Sequence, residues 1–358
     1  MKKTRFITGG RGRRFDLEIR EAGRCISSGG LVVFPTETVY GLGTNALSAE
    51  AVSGIFRVKM RPADNPLIVH VGTEADVDRL VTHIPRIAVS LMKRFWPGPL
   101  TLVMRRSRII PDNVTAGLDT VSVRMPSNRI ALKLIAEAGV PVAAPSANIS
   151  GRPSITNASQ AVKELNGLVD YIVDGGQAKF GLESTVLDVT KEVPVILRPG
   201  AVTLEQLRRH IGNVRVHRAA ISPSDIAGNP PSPGMKHRHY APVNAFLFLV
   251  ENKGEGHEID EDIQERVRSF EMRGLRVAAM VSDECEVRAW KVARLGSRHD
   301  LRKVARNLFR TIRQLDEEGA DVIVAEGFDS RGIGMALMNR LRRASLPMPD
   351  DDAFQGRK

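Results

Sequence analysis

Cysteine and aromatic residues are both scarce in this chain. Its 358 residues include two cysteines, Cys25 and Cys285, which lie far apart and outside any CxxC or Cys/His cluster. This spacing argues against a structural zinc site and favours reduced thiols, so the expected location is the cytoplasm. Aromatic residues make up 5% of the chain, which is few for a protein that stacks on nucleic-acid bases.

Long apolar runs are also missing. No run reaches the roughly 20 residues of a membrane-spanning helix, and no apolar segment follows the basic N-terminus, as a secretion signal requires. We therefore expect no membrane partner. The chain has no GxxxxGK[ST] loop, GxSxG elbow or HExxH helix, and its first half has no strand–GxGxxG–helix unit. A P-loop is thereby excluded, so any ATP would be bound by a less common site.

Positive charge is the first feature that points towards a ligand. The formal net charge is +11. Residues 1–240 carry 32 Lys and Arg against 20 Asp and Glu, whereas residues 241–358 carry 20 against 21. A basic domain suits anionic ligands such as nucleotides, phosphates or RNA. Charge alone is equally compatible with a basic surface that has no partner.

The order of apolar patterns predicts a first α/β unit over residues 1–217. Strand-like runs alternate there with helical patterns. Ala49–Lys59 has helical spacing with Ser48 as its N-cap, and Arg129–Ala138 is helical and closes at Gly139.

A linker and a second unit follow. Residues 218–242 are rich in proline, glycine and serine, which predicts an extended linker. Residues 243–346 again alternate strand and helix, which predicts a small, parallel, doubly wound sheet. Residues 347–358 are expected to form a frayed tail.

Polar loops follow several of the predicted strands. Pro35–Gly43 holds two hydroxyls and a carboxylate directly after an apolar strand, and its glycines, Gly41 and Gly43, predict a tight turn. Ligands of open α/β sheets lie at strand ends, although a plain turn is an equal alternative. Ala143–Ser154 is the most site-like loop, because its small, hydroxyl and amide side chains permit close approach to a ligand.

Cationic residues occupy other loops. Lys59 and Arg61 lie where a helix ends, beside Pro62, and suit a triphosphate, although such residues often only complement the helix dipole. Arg124 shares a strand face with Thr120. An inward arginine needs an anionic partner, either a substrate group or an internal Asp or Glu. Because no nucleophile–base pair is evident, the loops favour positioning and charge neutralisation, as in nucleotidyl transfer.

Several of these loops form an ordered set of motifs. They are Pro35-Thr36-Glu37-Thr38-Val39-Tyr40-Gly41-Leu42, Lys59-x-Arg61-Pro62-x-x-Asn65-Pro66-Leu67, Trp96-Pro97-Gly98-Pro99-Leu100-Thr101, Ala144-Pro145-Ser146-Ala147-Asn148-x-Ser150-Gly151, Ser184-Thr185-Val186-x-Asp188 and Ser232-Pro233-Gly234-Met235-Lys236-x-Arg238-His239-Tyr240-x-Pro242. In this order the first five resemble the YrdC-like family. The last motif and the second unit resemble its longer, two-domain members.

The family resemblance implies a fold and a reaction. The fold is a large, twisted, mixed sheet with a basic concave cavity, followed by a smaller Rossmann-like domain. The enzymes of this family are threonylcarbamoyl-AMP synthases. Threonine and bicarbonate or carbon dioxide give a carbamate, which attacks the α-phosphate of ATP so that pyrophosphate leaves. The product would pass to the machinery that modifies an adenosine of tRNA. Mg²⁺ is expected on the phosphates, held mainly by ATP oxygens and water rather than by protein side chains.

The resemblance also implies a set of site residues. Lys59 and Arg61 would be catalytic. ATP would be bound by Lys59, Arg61, Asn65, Thr120, Ser146, Asn148, Ser154, Arg198, His237 and Tyr240. Threonine would be bound by Thr36, Thr38, His70, Arg124, Ala144 and Ser184. The linker would act as a lid over the cavity, because the product anhydride hydrolyses easily.

Two other functions remain open at this point. An RNA-binding module fits the basic first unit, and RNA binding is also compatible with catalysis. Against it, the cations cluster in short, proline-fixed loops rather than along a helix. A carbamoyl-handling enzyme on the same fold is the second alternative, and a requirement for free threonine would separate it from the synthase.

Overall fold

The computed structural model describes residues 3–10, 12–221, 239–251 and 259–347. Two sheets organise these residues, an eleven-stranded mixed sheet in the first unit and a four-stranded parallel sheet in the second. The predicted α/β class, with a large mixed sheet and a smaller second domain, is confirmed. Of the predicted linker only 218–221 and 239–242 are described, and the predicted tail lies almost wholly outside the described residues.

The large sheet takes its strands from the first unit. In chain order they are β1 (Arg5–Ile7), β2 (Val32–Phe34), β3 (Gly41–Asn45), β4 (Ile68–His70), β5 (Leu100–Arg105), β6 (Thr120–Arg124), β7 (Val142–Ala143), β8 (Tyr171–Val173), β9 (Thr185–Asp188), β10 (Val195–Arg198) and β11 (Arg215–Val216). Their spatial order is β1-β8-β2-β3-β7-β4-β6-β5-β9-β10-β11. Most of the strand residues are buried.

Helices accompany this sheet. They are α1 (Arg13–Ser27), α2 (Ala49–Lys59), α3 (Arg86–Phe95), α4 (Asp112–Thr115), α5 (Arg129–Ala138), α6 (Ala158–Leu165), α7 (Leu204–Ile211) and α8 (Arg218–Ile221), with a 3₁₀ helix at Glu74–Val77. Among the described residues, no helix is both long and apolar enough to span a bilayer.

The second unit is a parallel sheet flanked by helices. Its strands are β12 (Phe246–Val250), β13 (Val277–Val281), β14 (Lys291–Arg294) and β15 (Val322–Glu326), and its helices are α9 (Ile259–Glu271), α10 (Leu301–Glu317) and α11 (Gly334–Ala344). The strand order is β12-β15-β13-β14. The strands β13 and β15 are buried along their whole length, as central strands covered on both faces must be.

Local sequence signals fix several helix ends. The Ser48 side chain accepts a hydrogen bond from the Ala51 N–H at the start of α2, and α5 ends at Gly139 in the left-handed conformation, with φ of 65°. Both ends match the prediction, because an N-cap side chain and a C-terminal glycine satisfy backbone groups that the helix leaves open.

The predicted tight turn at Gly41 and Gly43 is wrong. Both glycines lie in β3, which runs antiparallel to β2. A Cβ at Gly43 would lie 2.7 Å from the ring of Phe34. The glycines therefore admit an aromatic side chain onto the sheet face, and the chain reverses before them, between β2 and β3.

Strand direction brings the polar loops together. Because β4 and β6 are parallel, with His70 opposite Arg124, these two side chains emerge at the same sheet edge. The Ala144 N–H, directly after β7, donates to the carbonyl of Ile68 at 2.9 Å. Arg198 ends β10 and lies opposite Val186 of β9. Loops far apart in sequence consequently meet at one place.

Candidate active site

A cavity lies where these strand ends meet. The empty space there is about 690 Å³, a volume that includes space open to solvent. The predicted site residues that line it are Thr36, Thr38, Lys59, Arg61, His70, Arg124, Ala144, Ser146, Asn148, Ser184, Arg198 and Tyr240. The structure therefore brings six of the ten residues predicted for the nucleotide and all six predicted for threonine to one cavity.

Three predicted residues do not line the cavity, and a fourth lies outside the described residues. Asn65 is buried behind Arg61 and accepts from it at 2.8 Å. Ser154 is buried and donates to Glu183 at 2.5 Å. Thr120 opens β6, four residues before Arg124, and does not line the cavity. His237 lies outside the described residues.

The cavity also contains residues that the site prediction omitted. Glu183, Ser150 and His239 line it. Each lies next to, or two residues from, a predicted site residue. Their position in or next to the same motif could therefore have identified them as site residues. Glu183 is the single carboxylate in the described lining, and its side chain is buried.

Lys59 lies at the end of α2 and is 1% exposed. Its Nζ donates to the carbonyl of Ser146 at 2.6 Å and to the carbonyl of Asn148. Burial, reinforced by the charge of Arg61, lowers the pKa of Lys59 well below its ordinary value. The lysine thus joins α2 to the 146–148 loop through two backbone carbonyls.

Arg61 follows a reversal of the chain. Met60 adopts the left-handed conformation, with φ of 49°, at the end of α2. The Arg61 guanidinium then donates to the carbonyls of Asn65 and Pro66 at 2.9 and 2.7 Å. Burial, followed by the charge of Arg198, lowers the pKa of Arg61. These contacts hold the guanidinium at the cavity wall without neutralising it.

Arg198 reaches the cavity from a different strand pair, β9 and β10. Its guanidinium donates to the carbonyl of Ser184 at 3.1 and 3.2 Å and to the Ser184 hydroxyl at 3.2 Å. Burial lowers the pKa of Arg198 to about 10. With Lys59 and Arg61, it makes one side of the cavity strongly cationic, which favours binding of a polyanion.

Arg124 has an internal partner. Its guanidinium pairs with Glu37 at 2.7 Å, and both side chains are about 5% exposed or less. It also donates to the Thr38 hydroxyl at 3.0 Å and the Gly98 carbonyl at 3.2 Å. Of the two partners that the sequence allowed for Arg124, an internal carboxylate is therefore present. Arg124 nevertheless lines the cavity.

His70 is a buried, neutral imidazole. Burial, followed by the charge of Arg124, lowers its pKa to about 3. Its Nδ1 is buried and has no hydrogen-bond partner among the described residues. The same holds for Asn148 Oδ1 and Ser150 Oγ. Orphaned polar atoms in one cavity are consistent with a ligand that supplies their partners.

The lining does not provide a magnesium site of its own. The part of the chain that the structure describes contains no group of three His, Cys, Asp or Glu side chains able to hold a metal. The Glu183 carboxylate accepts a hydrogen bond from Ser154 and forms an ion pair with Arg340. Any Mg²⁺ here would have its ligands mainly from a bound phosphate chain and water.

The end of the linker forms part of the cavity wall. Tyr240 is 5% exposed and has a positive φ of 68°, which is unusual for a bulky residue. Its ring lies 5.1 Å from that of Phe309 on α10. The next residue, Ala241, donates its N–H to the Gly151 carbonyl at 3.0 Å. His239 and Tyr240 are thereby fixed against the 146–151 loop.

Two family models cover this chain almost end to end. The Sua5/YciO/YrdC model, described as telomere recombination, matches residues 24–200. The model described as the threonylcarbamoyl-AMP synthase C-terminal domain matches residues 202–345. A protein of Pyrococcus abyssi named threonylcarbamoyl-AMP synthase is 47% identical over 92% of this chain and 94% of its own length. This chain belongs to the two-domain Sua5 family. The Bacillus subtilis protein of the same name is 43% identical over 92% of this chain and 93% of its own length.

Solved structures of the family have the same fold. A P. abyssi Sua5 complexed with L-threonine superposes with a TM-score of 0.88 at 44% identity, covering 96% of this chain and 97% of that one. A P. abyssi Sua5 in which a histidine and the tyrosine after it are replaced by alanine also gives 0.88, at 43% identity and 96% coverage of both chains. The only adjacent His-Tyr pair in this Sua5-family chain is His239-Tyr240.

Proposed function

We propose that this protein forms threonylcarbamoyl-AMP and pyrophosphate from L-threonine, bicarbonate or carbon dioxide, and ATP, and is thus a nucleotidyltransferase. The observation that carries the proposal is the union of two anion-binding groups in one cavity. Lys59, Arg61 and Arg198 suit a triphosphate, and Arg124 suits an amino-acid carboxylate. The names of the relatives and the threonine-bound structure support the same assignment.

The proposed chemistry has two steps. The threonine amine attacks carbon dioxide with the loss of a proton, or bicarbonate with the loss of a water molecule, and either route leaves a carbamate. A carbamate oxygen then attacks the α-phosphorus of ATP, and the bond to the bridging oxygen of pyrophosphate breaks. Negative charge develops on the phosphates, and Lys59 and Arg61, which line the cavity, would stabilise it. Catalysis then consists of positioning and charge stabilisation, and the described part of the lining contains no hydrogen-bonded nucleophile–base pair.

The remaining site roles belong to the same proposal. Ser146, Asn148 and Tyr240 would contact the nucleotide, with Asn65 and Ser154 acting behind Arg61 and Glu183. Thr36, Thr38, His70, Ala144 and Ser184 would contact threonine. Mg²⁺ would neutralise the leaving pyrophosphate, carried by the ATP. Thr120 and His237 remain predictions from the family resemblance.

The product requires an acceptor. A mixed anhydride of a carbamate and AMP is a carbamoyl donor that hydrolyses in water, and we propose that cytoplasmic machinery transfers it to tRNA. Direct RNA binding would be an additional property of the basic first unit. No described contact favours an RNA-binding module or a carbamoyl-handling enzyme over the synthase.

Omission of single substrates tests the proposal. Purified protein with ATP, Mg²⁺, threonine and bicarbonate is expected to release pyrophosphate and to form an AMP-linked product whose mass contains threonine and one carboxyl carbon. Removal of threonine or bicarbonate is expected to reduce pyrophosphate to the background without enzyme. Pyrophosphate release that continues without threonine would contradict the proposal and favour another ATP-consuming reaction.

A further inference from the structure

Arg340 brings a buried charge from the second unit to the active site. It lies on α11 and is 0% exposed. Its Nε pairs with Glu183 at 2.9 Å, and its Nη1 donates to the carbonyl of Pro199 at 2.7 Å. A guanidinium is costly to bury unless its geometry is satisfied, and these contacts lie next to the cavity lining residues Ser184 and Arg198.

The same guanidinium meets the linker. Its central carbon lies 5.7 Å from the centroid of the Tyr240 ring, within the range of a cation–π contact. Because Tyr240 also stacks on Phe309, its ring is held by two helices of the second unit. Arg340 therefore contacts three separate parts of the site: the Glu183 side chain, the loop after β10 and the end of the linker.

The negative charge of Glu183 is the reason that its ion pair with Arg340 affects the binding of phosphates. Its carboxylate lines the cavity and is 5% exposed. Burial raises its pKa, but Arg340, Arg198 and the hydrogen bond from Ser154 together lower the pKa below its ordinary value. An ionised carboxylate in this wall would repel phosphates and attract Arg198 away from them unless another cation neutralised it.

We propose that Arg340 is a positioning residue that neutralises Glu183 and fixes the Arg198–Tyr240 wall, so that the second unit completes the ATP side of the active site. The inference rests on the proposed function. It gives the second unit a part in nucleotide binding, through Glu183 and the Arg198–Tyr240 wall, in addition to anchoring the linker.

Arg340→Met tests this inference in the full chain. The Kd for ATP, measured by calorimetry without threonine, is expected to rise by roughly tenfold or more, because a buried carboxylate is left without its partner. In turnover assays the KM for ATP should rise while the KM for threonine changes by less than about threefold. An unchanged Kd for ATP would overturn the inference.

Arg343→Met is the matched control. Arg343 lies on the same helix, is 7% exposed and donates to the Ala219 carbonyl at 2.7 Å, so it also ties α11 to the first unit. It does not line the cavity. We expect the Kd of the Arg343→Met variant for ATP to stay within about twofold of the wild-type value. An equal weakening in both variants would show that Arg340 acts only by holding the units together.

A double variant separates neutralisation from general stabilisation. Glu183→Gln removes the charge that Arg340 neutralises, so Arg340→Met/Glu183→Gln is expected to bind ATP within about threefold of Glu183→Gln alone. A double variant that binds ATP clearly more than threefold more weakly than Glu183→Gln alone overturns the inference. If Arg340→Met does not fold, Arg340→Gln, which removes the same charge but keeps a donor, takes its place with the same expectations. Because ATP binding is measured directly, the result does not depend on whether the wild type uses threonine.

Discussion

Lys59→Met is expected to lower kcat/KM by roughly 100-fold or more, with most of the loss seen when ATP is varied. The substitution removes the buried ammonium of the nucleotide side, and loss of one preorganised donor to a developing anion commonly costs about 10² to 10³. It also leaves the Ser146 and Asn148 carbonyls without their Nζ donor. Steady-state kinetics with each substrate in turn measures the effect.

Lys163→Met provides the control for the loss of a lysine. Lys163 is 64% exposed and pairs with Glu317 at 2.6 Å on the surface, so its loss is expected to cost no more than about 1 kcal/mol and to leave kcat/KM unchanged. Similar activity losses in Lys59→Met and Lys163→Met would contradict a specific role for Lys59.

The pH dependence of the Lys59→Met variant adds a second measurement. The pKa of Lys59 is lowered by burial from its ordinary 10.5, so between the two values the unfolded chain binds more protons than the folded one. Wild-type stability, relative to the variant, should therefore rise as pH increases towards 10.5 and fall as pH decreases through the folded pKa. Denaturant titrations of both proteins at several pH values test this. A difference in stability that does not vary with pH over that window would contradict it.

Arg124→Met is expected to lose both threonine binding and stability. Glu37 would be left as a buried carboxylate with no cation beside it, and loss of one partner of a buried ion pair typically costs about 3 to 5 kcal/mol. The KM for threonine should rise roughly 100-fold or more because the carboxylate clamp is gone, while the Kd for ATP changes little. Denaturant unfolding and substrate kinetics measure the two effects.

A second substitution distinguishes these two effects of Arg124. Arg124→Met/Glu37→Gln removes the unpaired carboxylate, so most of the stability should return while threonine binding stays weak. Arg105→Met on β5 is the control, because Arg105 forms an exposed ion pair with Asp119. Recovery of threonine binding in the double variant would show that Arg124 only neutralises Glu37.

Local chemistry made much of the fold predictable. Ser48 caps α2 and Gly139 ends α5 as expected, since both effects involve backbone groups within one turn of the residue. Helix α1 was missed, although the buried Phe15, Ile19, Ala22 and Ile26 repeat at helical spacing. Gly41 was assigned to a turn, because the sequence does not show whether a glycine is needed for a bend in the chain or to leave room for a neighbouring aromatic ring.

The sequence by itself determined the α/β class and the two units, because apolar patterns carry that information. Its ordered motif set, through the family resemblance, also named twelve of the residues that line the cavity. Only the tertiary structure decided how the charges are paired. Glu37 with Arg124, and Glu183 with Arg340, are separated by 87 and 157 residues. Such pairs follow from strand order and from the docking of α11 on the first unit, and no local pattern encodes either.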